Sequence, residues 1–260
     1  MLELRQIEEF YPEALRPFKR NLLREYLQFK ILAAIYASRY GLKLVFMGGT
    51  AIHIIHGLPR FSEDLDFDNR GLSREEFRLL TRLVARRLSL EGLNVETNVS
   101  FKGAFSADIK VSDILFGSGL SGHRQEKILI KLDAQAQEYA YSPERVIINK
   151  FDVTTGVNVV PQHILLAQKY YAILMRKRAM GRDFFDVMFL AGKAAPDLGY
   201  LKAKAGIKGL ADLKEILLNH CKKMDFKQLA RDVQPLVFNP EDAGKIELFQ
   251  EFINSKLSLG

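Results

Sequence analysis

The sequence has little cysteine and no long hydrophobic run, and each shortage excludes a class of protein. Cys221 is the single cysteine among 260 residues, which excludes an internal disulfide framework and a cysteine-rich zinc site. We therefore expect a reducing compartment, the cytoplasm. The longest apolar stretch near the N-terminus, residues 31–37, is far shorter than the roughly 20 residues that span a bilayer. The charged start of the chain also lacks the apolar segment of a signal peptide. We expect no membrane association.

The composition is that of a folded, basic protein. Hydrophobic residues make up 48% of the chain, and 38 Lys and Arg against 31 Asp and Glu give a net charge of +7. A basic balance fits nucleic acid or nucleotide phosphates as partners, although an ordinary solvated surface explains charge alone equally well. The densest excess lies between Lys202 and Arg231, with eight basic and three acidic residues. This stretch is the best candidate for a nucleic-acid groove.

Hydrophobic periodicity divides the chain into a mixed first part and a helical second part. The spacing predicts strands at 44–47, 64–68, 94–101, 107–116, 127–135 and, as a pair, within 146–160. It predicts helices in the N-terminal segment 10–40, after Gly48 and at 73–90. After Pro161 it predicts helices near 161–178, 183–193, 210–223 and 243–256. We therefore predict an α+β domain over residues 1–158, with a mixed, largely antiparallel sheet and flanking helices, and a helical domain over 159–260.

The most informative segment begins with a strand, a Gly-Gly-Thr sequence and a helix. Glycines at positions 48 and 49 let backbone N–H groups approach a phosphate closely, and a helix N-terminus adds a positive partial charge. Thr50 adds a hydroxyl at the same place. His53 and His56 follow on the helix, where packing or support is favoured over metal ligation. The pattern indicates a phosphate-binding turn.

Thirteen residues separate Thr50 from Asp64-Leu65-Asp66. Residues i and i+2 of a strand point to the same face, so the two carboxylates stand side by side and repel unless a cation lies between them. Carboxylate oxygens are ligands that Mg²⁺ prefers, and paired ions assist phosphoryl transfer. Asp133, on a later alternating strand, shares a face with Lys131 and Gln135. If that strand lies beside Asp64 and Asp66, three carboxylates converge.

In this order the motifs resemble the nucleotidyltransferase superfamily related to DNA polymerase β. Within it, GGTAIHIIHGLPRFSEDLDF resembles the AbiEii/AbiGii toxin family of type IV toxin–antitoxin and abortive-infection systems, whose RxSxDLDF stretch is matched from Arg60 to Phe67. The family also carries a lysine on one helix and an Arg-Asp motif opening the next, which match Lys169 and Arg182-Asp183. Gln168 departs from the acid that usually precedes the lysine. The resemblance covers residues 44–190, leaving 1–40 and 195–260 without a matching motif.

The resemblance implies a nucleotidyltransferase fold, with the active site in the cleft between the two domains, and a set of roles. Gly48, Gly49 and Thr50 would hold the phosphates of a nucleoside triphosphate. Asp64 and Asp66 would bind Mg²⁺, with two ions expected, and Asp133 would act as a metal ligand or base. Lys169 would contact the triphosphate, and Asp183 with Asp186 would orient Lys169 or a nucleobase. Arg182 is also expected at the nucleotide, and Arg60 either contacts a phosphate or pairs with Asp64.

The reaction implied is transfer of a nucleoside monophosphate from a nucleoside triphosphate to an RNA acceptor, a tRNA 3′ end, with release of pyrophosphate. The implied partner is a neighbouring antitoxin, typically a transcriptional regulator. Two alternatives stay open from the residues. One is nucleotidyl transfer to a small-molecule or protein hydroxyl, and the other is an inactive, basic nucleic-acid-binding module.

Overall fold

The computed structural model describes residues 1–257, which form two compact units. The first unit contains residues 1–56, 61–138 and 143–160, and the second contains 57–60, 139–142 and the described residues from 161 to 257. A compact unit is not by itself an independently folding domain, so the bounds 1–158 and 159–260 stay a prediction. Over the described part of the chain, no helix is long and apolar enough to cross a membrane.

The first unit is built on a mixed sheet of seven strands. They are β1 (Leu44–Met47), β2 (Leu65–Asn69), β3 (Asn94–Ser100), β4 (Phe105–Ser112), β5 (Ile128–Gln135), β6 (Glu144–Lys150) and β7 (Val153–Val159). Their order across the sheet is β3-β4-β5-β2-β1-β7-β6. The pairs β2/β5 and β1/β7 are parallel, and the other four pairs are antiparallel. The predicted mixed, largely antiparallel sheet is therefore confirmed.

Five helices belong to the same unit: α1 (Leu4–Glu8), α2 (Lys19–Tyr36), α3 (Gly48–His56), α4 (Arg74–Leu90) and α5 (Ile114–Gly117). The capping box predicts the start of α4 correctly, because Ser73 Oγ accepts from Glu76 N and the Glu76 side chain accepts from Ser73 N. The predicted strand over 107–116 ends at Ser112 instead. Asp113 takes a left-handed φ of 66° and turns the chain into α5.

The second unit is helical, as predicted, with six helices among its described residues. They are α6 (Gln162–Met175), α7 (Gly181–Ala191), α8 (Leu198–Ala205), α9 (Leu210–Cys221), α10 (Phe226–Val233) and α11 (Phe249–Lys256). The sequence pattern does not predict α8 or α10, which have eight residues each. A 3₁₀ segment, Pro240–Leu248, replaces the first part of the helix predicted over 243–256. Gly181 allows α7 to approach α10, because a Cβ there would overlap the carbonyl oxygen of Leu229.

Candidate active site

The turn between β1 and α3 is shaped by one glycine. Gly48 has a φ of 78°, a left-handed conformation that favours glycine. A Cβ at this position would overlap the carboxylate of Asp66 on the neighbouring strand. The backbone at the start of α3 and a predicted metal ligand therefore lie in direct contact, and any side chain at residue 48 would separate them.

Thr50 anchors this turn to the following segment. Its hydroxyl donates to the carbonyl oxygen of Asp64, and the residue is fully buried. This bond fixes the first turn of α3 against the residue that precedes β2. The arrangement favours a positioning role for Thr50 over the phosphate contact predicted for it, and leaves the backbone at Gly48 and Gly49 as the phosphate-binding candidate.

The sheet brings the three predicted metal ligands to neighbouring positions. Asp66 on β2 pairs in register with Asp133 on the parallel strand β5, and with Met47 on β1. Asp64 lies one residue before β2, and all three aspartates are partly exposed. Leu65 and Phe67, between and beside them, are fully buried. The predicted adjacency of the two strands is therefore confirmed, with the acids on the accessible side.

A lysine lies among these acids. Lys131 Nζ is 3.1 Å from Asp133 Oδ2, and the side chains are 44% and 29% exposed. Lys131 also pairs in register with Asp108 on β4. The bond with Asp133 raises the pKa of Lys131, and the charges of Asp64 and Asp108 raise it further. The negative charge of these aspartates is thus partly balanced by a side chain of the protein itself.

The acids fit a hard cation in donor type and strand position. Mg²⁺ prefers oxygen ligands, and carboxylates at adjacent register positions can share an ion. Within residues 1–257, however, no three His, Cys, Asp or Glu side chains lie close enough together to hold a metal. A closed set of three such ligands is therefore not preformed among the described residues.

Asp68, two residues beyond Asp66 on the same face of β2, has a different environment. It is 3% exposed, Oδ1 accepts from the backbone N–H of Gln137 at 2.8 Å, and Oδ2 lies 3.3 Å from Arg70 Nε. Because its oxygens already serve the fold, Asp68 is a structural acid.

A buried ion-pair network holds α3 through His53. Glu25 on α2 is 4% exposed, with Oε2 3.0 Å from His53 Nε2 and Oε1 accepting from Lys150 Nζ at 2.7 Å. Burial would raise the pKa of Glu25, but the bonds and charges of His53 and Lys150 outweigh it and hold the pKa at about 2. His53 therefore supports the helix, as its sequence position favours. Glu25 and Lys150 carry no motif that would have marked them.

In the second unit, Lys169 lies in a buried network of charges. Lys169 Nζ on α6 is 3.0 Å from Asp183 Oδ1 and 2.8 Å from Asp186 Oδ2, both on α7. Burial would lower the pKa of Lys169, but the charges of Asp186 and Asp183 outweigh it and raise the pKa. The structure thus brings Lys169 together with the two aspartates, as the sequence predicts. The two aspartates lie one helical turn apart on α7.

Arg60 is the fourth member of this network. Asp186 accepts two hydrogen bonds from the Arg60 guanidinium, from Nε and Nη2, each at 2.7 Å, and Arg60 is 1% exposed. Burial would raise the pKa of Asp186, but Arg60 and Lys169 together lower it. The burial of Arg60 favours a positioning role over the phosphate contact that was one of its two predicted roles.

The basic residues after α6 contribute one partner of Asp183 that the sequence does not indicate. Arg176 Nε is 2.9 Å from Asp183 Oδ2, and its side chain is 44% exposed. Arg182, predicted at the nucleotide, is partly exposed at the start of α7.

Cys221 is buried at the end of α9, where burial raises its pKa to about 11, as expected of an inert thiol.

Comparisons with known proteins give one family and two crystal structures of similar fold. The family model described as nucleotidyl transferase AbiEii toxin, type IV TA system, matches residues 30–252, well beyond residues 44–190. Two crystal structures from Helicobacter pylori share the fold at 20% sequence identity. JHP933 gives a TM-score of 0.55 over 92% of this chain and 93% of that one. A candidate nucleotidyltransferase gives 0.56 over 91% and 96%. No curated protein matches the chain.

Proposed function

Because the chain belongs to the AbiEii nucleotidyl transferase toxin family of type IV toxin–antitoxin systems, we propose that it transfers a nucleoside monophosphate from a nucleoside triphosphate to RNA, with a tRNA 3′ end as acceptor. The acceptor hydroxyl oxygen bonds to the α-phosphorus, and the bond from that phosphorus to the bridging oxygen of the β-phosphate breaks. Pyrophosphate leaves with the electron pair, and the hydroxyl proton passes to water. No covalent intermediate on the protein is needed.

The contact of Gly48 with Asp66 carries this proposal. It joins a helix N-terminus suited to phosphates with a carboxylate suited to a cation, and Asp133 pairs with Asp66 in register. A triphosphate brought to this turn has its negative charge close to the acids, which is favourable only with cations present. Asp64, Asp66 and Asp133 would hold Mg²⁺, with two ions proposed. When bound, Mg²⁺ would stabilise the attacking and leaving oxygens.

The charged network on α6 and α7 supports a second part of the proposal. Lys169, oriented by Asp183 and Asp186, is the cation for triphosphate oxygens, and Arg182 is a further contact. Arg60 keeps Asp186 in place through its two hydrogen bonds. A lysine held on two carboxylates loses little further rotamer freedom when it binds an anion.

RNA as the acceptor is supported by the charge of the second unit. The eight basic residues from Lys202 to Arg231 include the exposed Lys202, Lys222, Lys223, Lys227 and Arg231. Polyphosphate backbones are attracted to such surfaces irrespective of base sequence. The antitoxin implied by the family is proposed to be a transcriptional regulator.

The test incubates the full chain with Mg²⁺, each α-³²P-labelled nucleoside triphosphate in turn, and total cellular RNA. We expect label on tRNA-sized RNA, removable by a 3′ exonuclease, together with stoichiometric pyrophosphate. A parallel reaction receives a small-metabolite extract and a protein extract. Label on a protein or a metabolite instead of RNA would overturn the RNA acceptor. Absence of label and of pyrophosphate with every acceptor would overturn the transferase reaction.

A further inference from the structure

Lys131 lies where the proposed metal ligands, Asp64, Asp66 and Asp133, would have to come together around an ion. Its ammonium lies 3.1 Å from Asp133 Oδ2, so it uses an oxygen that a divalent cation would need. The two side chains are partly exposed, and ion pairs of this kind contribute little to stability because water competes with both partners. The pair can therefore open at small cost.

The strand register surrounds this lysine with acids. Lys131 pairs in register with Asp108 on the adjacent strand β4. Asp133, on the same face of β5, pairs in register with Asp66 on the adjacent strand β2. A single ammonium thus lies among several carboxylates and lowers their mutual repulsion.

We propose that Lys131 is a built-in competitor of the metal: it holds Asp133 while the site is empty of divalent cations and must release it before Asp64, Asp66 and Asp133 can close around an ion. This inference rests on the proposed function, since it assumes that these acids are the metal site. It accounts for the lack of any closed three-ligand group within residues 1–257. It also predicts weak loading by free metal, because a bound ion and a nearby ammonium repel each other.

The test measures binding of Mn²⁺ alone to the full chain, without nucleotide, by calorimetry and by the loss of the free Mn²⁺ electron paramagnetic resonance signal. Lys131→Met removes the competing charge and is expected to bind Mn²⁺ about tenfold more tightly than the unmodified chain. Lys131→Arg keeps the charge and is expected to bind weakly, like the unmodified chain. Asp66→Asn in the Lys131→Met background is expected to lose the gain.

Lys127→Met is the matched control. It removes another lysine that forms an ion pair on the same sheet, with Glu96 at 2.7 Å, four residues from Lys131 and so roughly 13 Å away along the strand. Its Mn²⁺ affinity is expected to stay unchanged. Thermal unfolding gives a second readout: Mn²⁺ is expected to raise the Tm of Lys131→Met by more than that of the unmodified chain.

Two results would overturn the inference, and they are distinguishable. If Mn²⁺ binds the unmodified chain and Asp66→Asn abolishes that binding, but Lys131→Met binds no more tightly, the competition is wrong while the metal site stands. If neither the unmodified chain nor Lys131→Met binds Mn²⁺, or if Asp66→Asn leaves binding intact, the proposed metal site itself is wrong.

Discussion

Three aspartates at alternate positions, Asp64, Asp66 and Asp68, have different surroundings although they share one face of the chain. Asp66 lies against Gly48, Asp64 precedes the strand and accepts the Thr50 hydroxyl on its carbonyl, and Asp68 is buried on a backbone amide. Residue type and spacing do not separate these roles. The partner of each carboxylate separates them.

The contrast predicts opposite effects for two identical substitutions on one strand. Asp66→Asn is expected to lower nucleotidyl transfer about a thousandfold, because it removes a carboxylate charge that holds a cation at the phosphates. The Tm is expected to change by no more than a few degrees. Asp68→Asn keeps an oxygen for Gln137 N and is expected to retain most activity. Measured rates of RNA labelling and circular dichroism melts check both; equal losses in the two variants would contradict the assignment.

The Glu25 carboxylate predicts a pH dependence of stability. Its pKa is about 2 in the folded chain against an ordinary 4.5, so the native state favours the charged form. A depressed pKa stabilises the fold above about pH 4.5, and this stability is lost as pH falls towards 2. The shift corresponds to about 3 kcal/mol. Urea titrations across this range are expected to show that loss in the unmodified chain and a correspondingly smaller one in Glu25→Gln.

The Lys169 network predicts unequal costs for its two acids. Asp186→Asn leaves Arg60, 1% exposed, without its carboxylate, and is expected to cost about 3–5 kcal/mol of unfolding free energy. Asp183→Asn is expected to cost less, because its other partner, Arg176, is 44% exposed and can turn to water. Denaturant unfolding of both variants gives the comparison, and a larger loss for Asp183→Asn would contradict it.

At the scale of elements, the junction of β1 and α3 depends on the space between two backbones. Gly48 and Gly71 have similar left-handed angles, 78° and 87°, but only a Cβ at Gly48 meets another group, the Asp66 carboxylate. Each glycine-to-alanine change therefore carries the same backbone strain of about 1–2 kcal/mol. The additional overlap is specific to Gly48.

This difference predicts that Gly48→Ala abolishes nucleotidyl transfer by displacing Asp66 from the start of α3. Gly71→Ala is expected to lower the Tm by a few degrees and keep the rate within about threefold, because nothing lies within 4 Å of its new methyl group. The measurement is RNA labelling alongside thermal unfolding. Retained activity in Gly48→Ala would contradict the importance of this contact.

The net charge of +7 belongs to the scale of the whole molecule. Acids gather on the adjacent strands β2 and β5, whereas the sequence from Lys202 to Arg231 is strongly basic, so the charge is unevenly distributed along the chain. Such a distribution suits a protein that holds a polyanion with one surface and cations with another.

If the basic helices bind RNA, its affinity must depend on salt. Lys222→Ala with Lys223→Ala is expected to weaken RNA binding and to reduce the slope of log affinity against log salt by about 1.4, two single-strand contacts at about 0.7 each. The double variant Lys102→Ala with Lys127→Ala, exposed in the first unit, is the matched control and should keep the slope. Filter binding at several salt concentrations measures it; an unchanged slope in the first variant would place the RNA elsewhere.

Local signals predicted most of the elements, and their failures have local causes. The Ser73 capping box and the alternation of β5 are short-range patterns, and both are confirmed. The apolar run Ile114-Leu115-Phe116 looks like strand, but the left-handed Asp113 turns it into α5. Helices α8 and α10 are too short to show a clear period.

The sequence alone predicted the mixed sheet and the helical second part, because these depend on periodicity along the chain. Its ordered motifs indicated the family by resemblance. Only the tertiary structure decided which charges meet. Asp133 beside Asp66, Lys131 among the acids, Arg60 on Asp186 and Glu25 beneath α3 join residues far apart in sequence. The reason is physical: a charge's role depends on burial and on its nearest partner, and folding sets both.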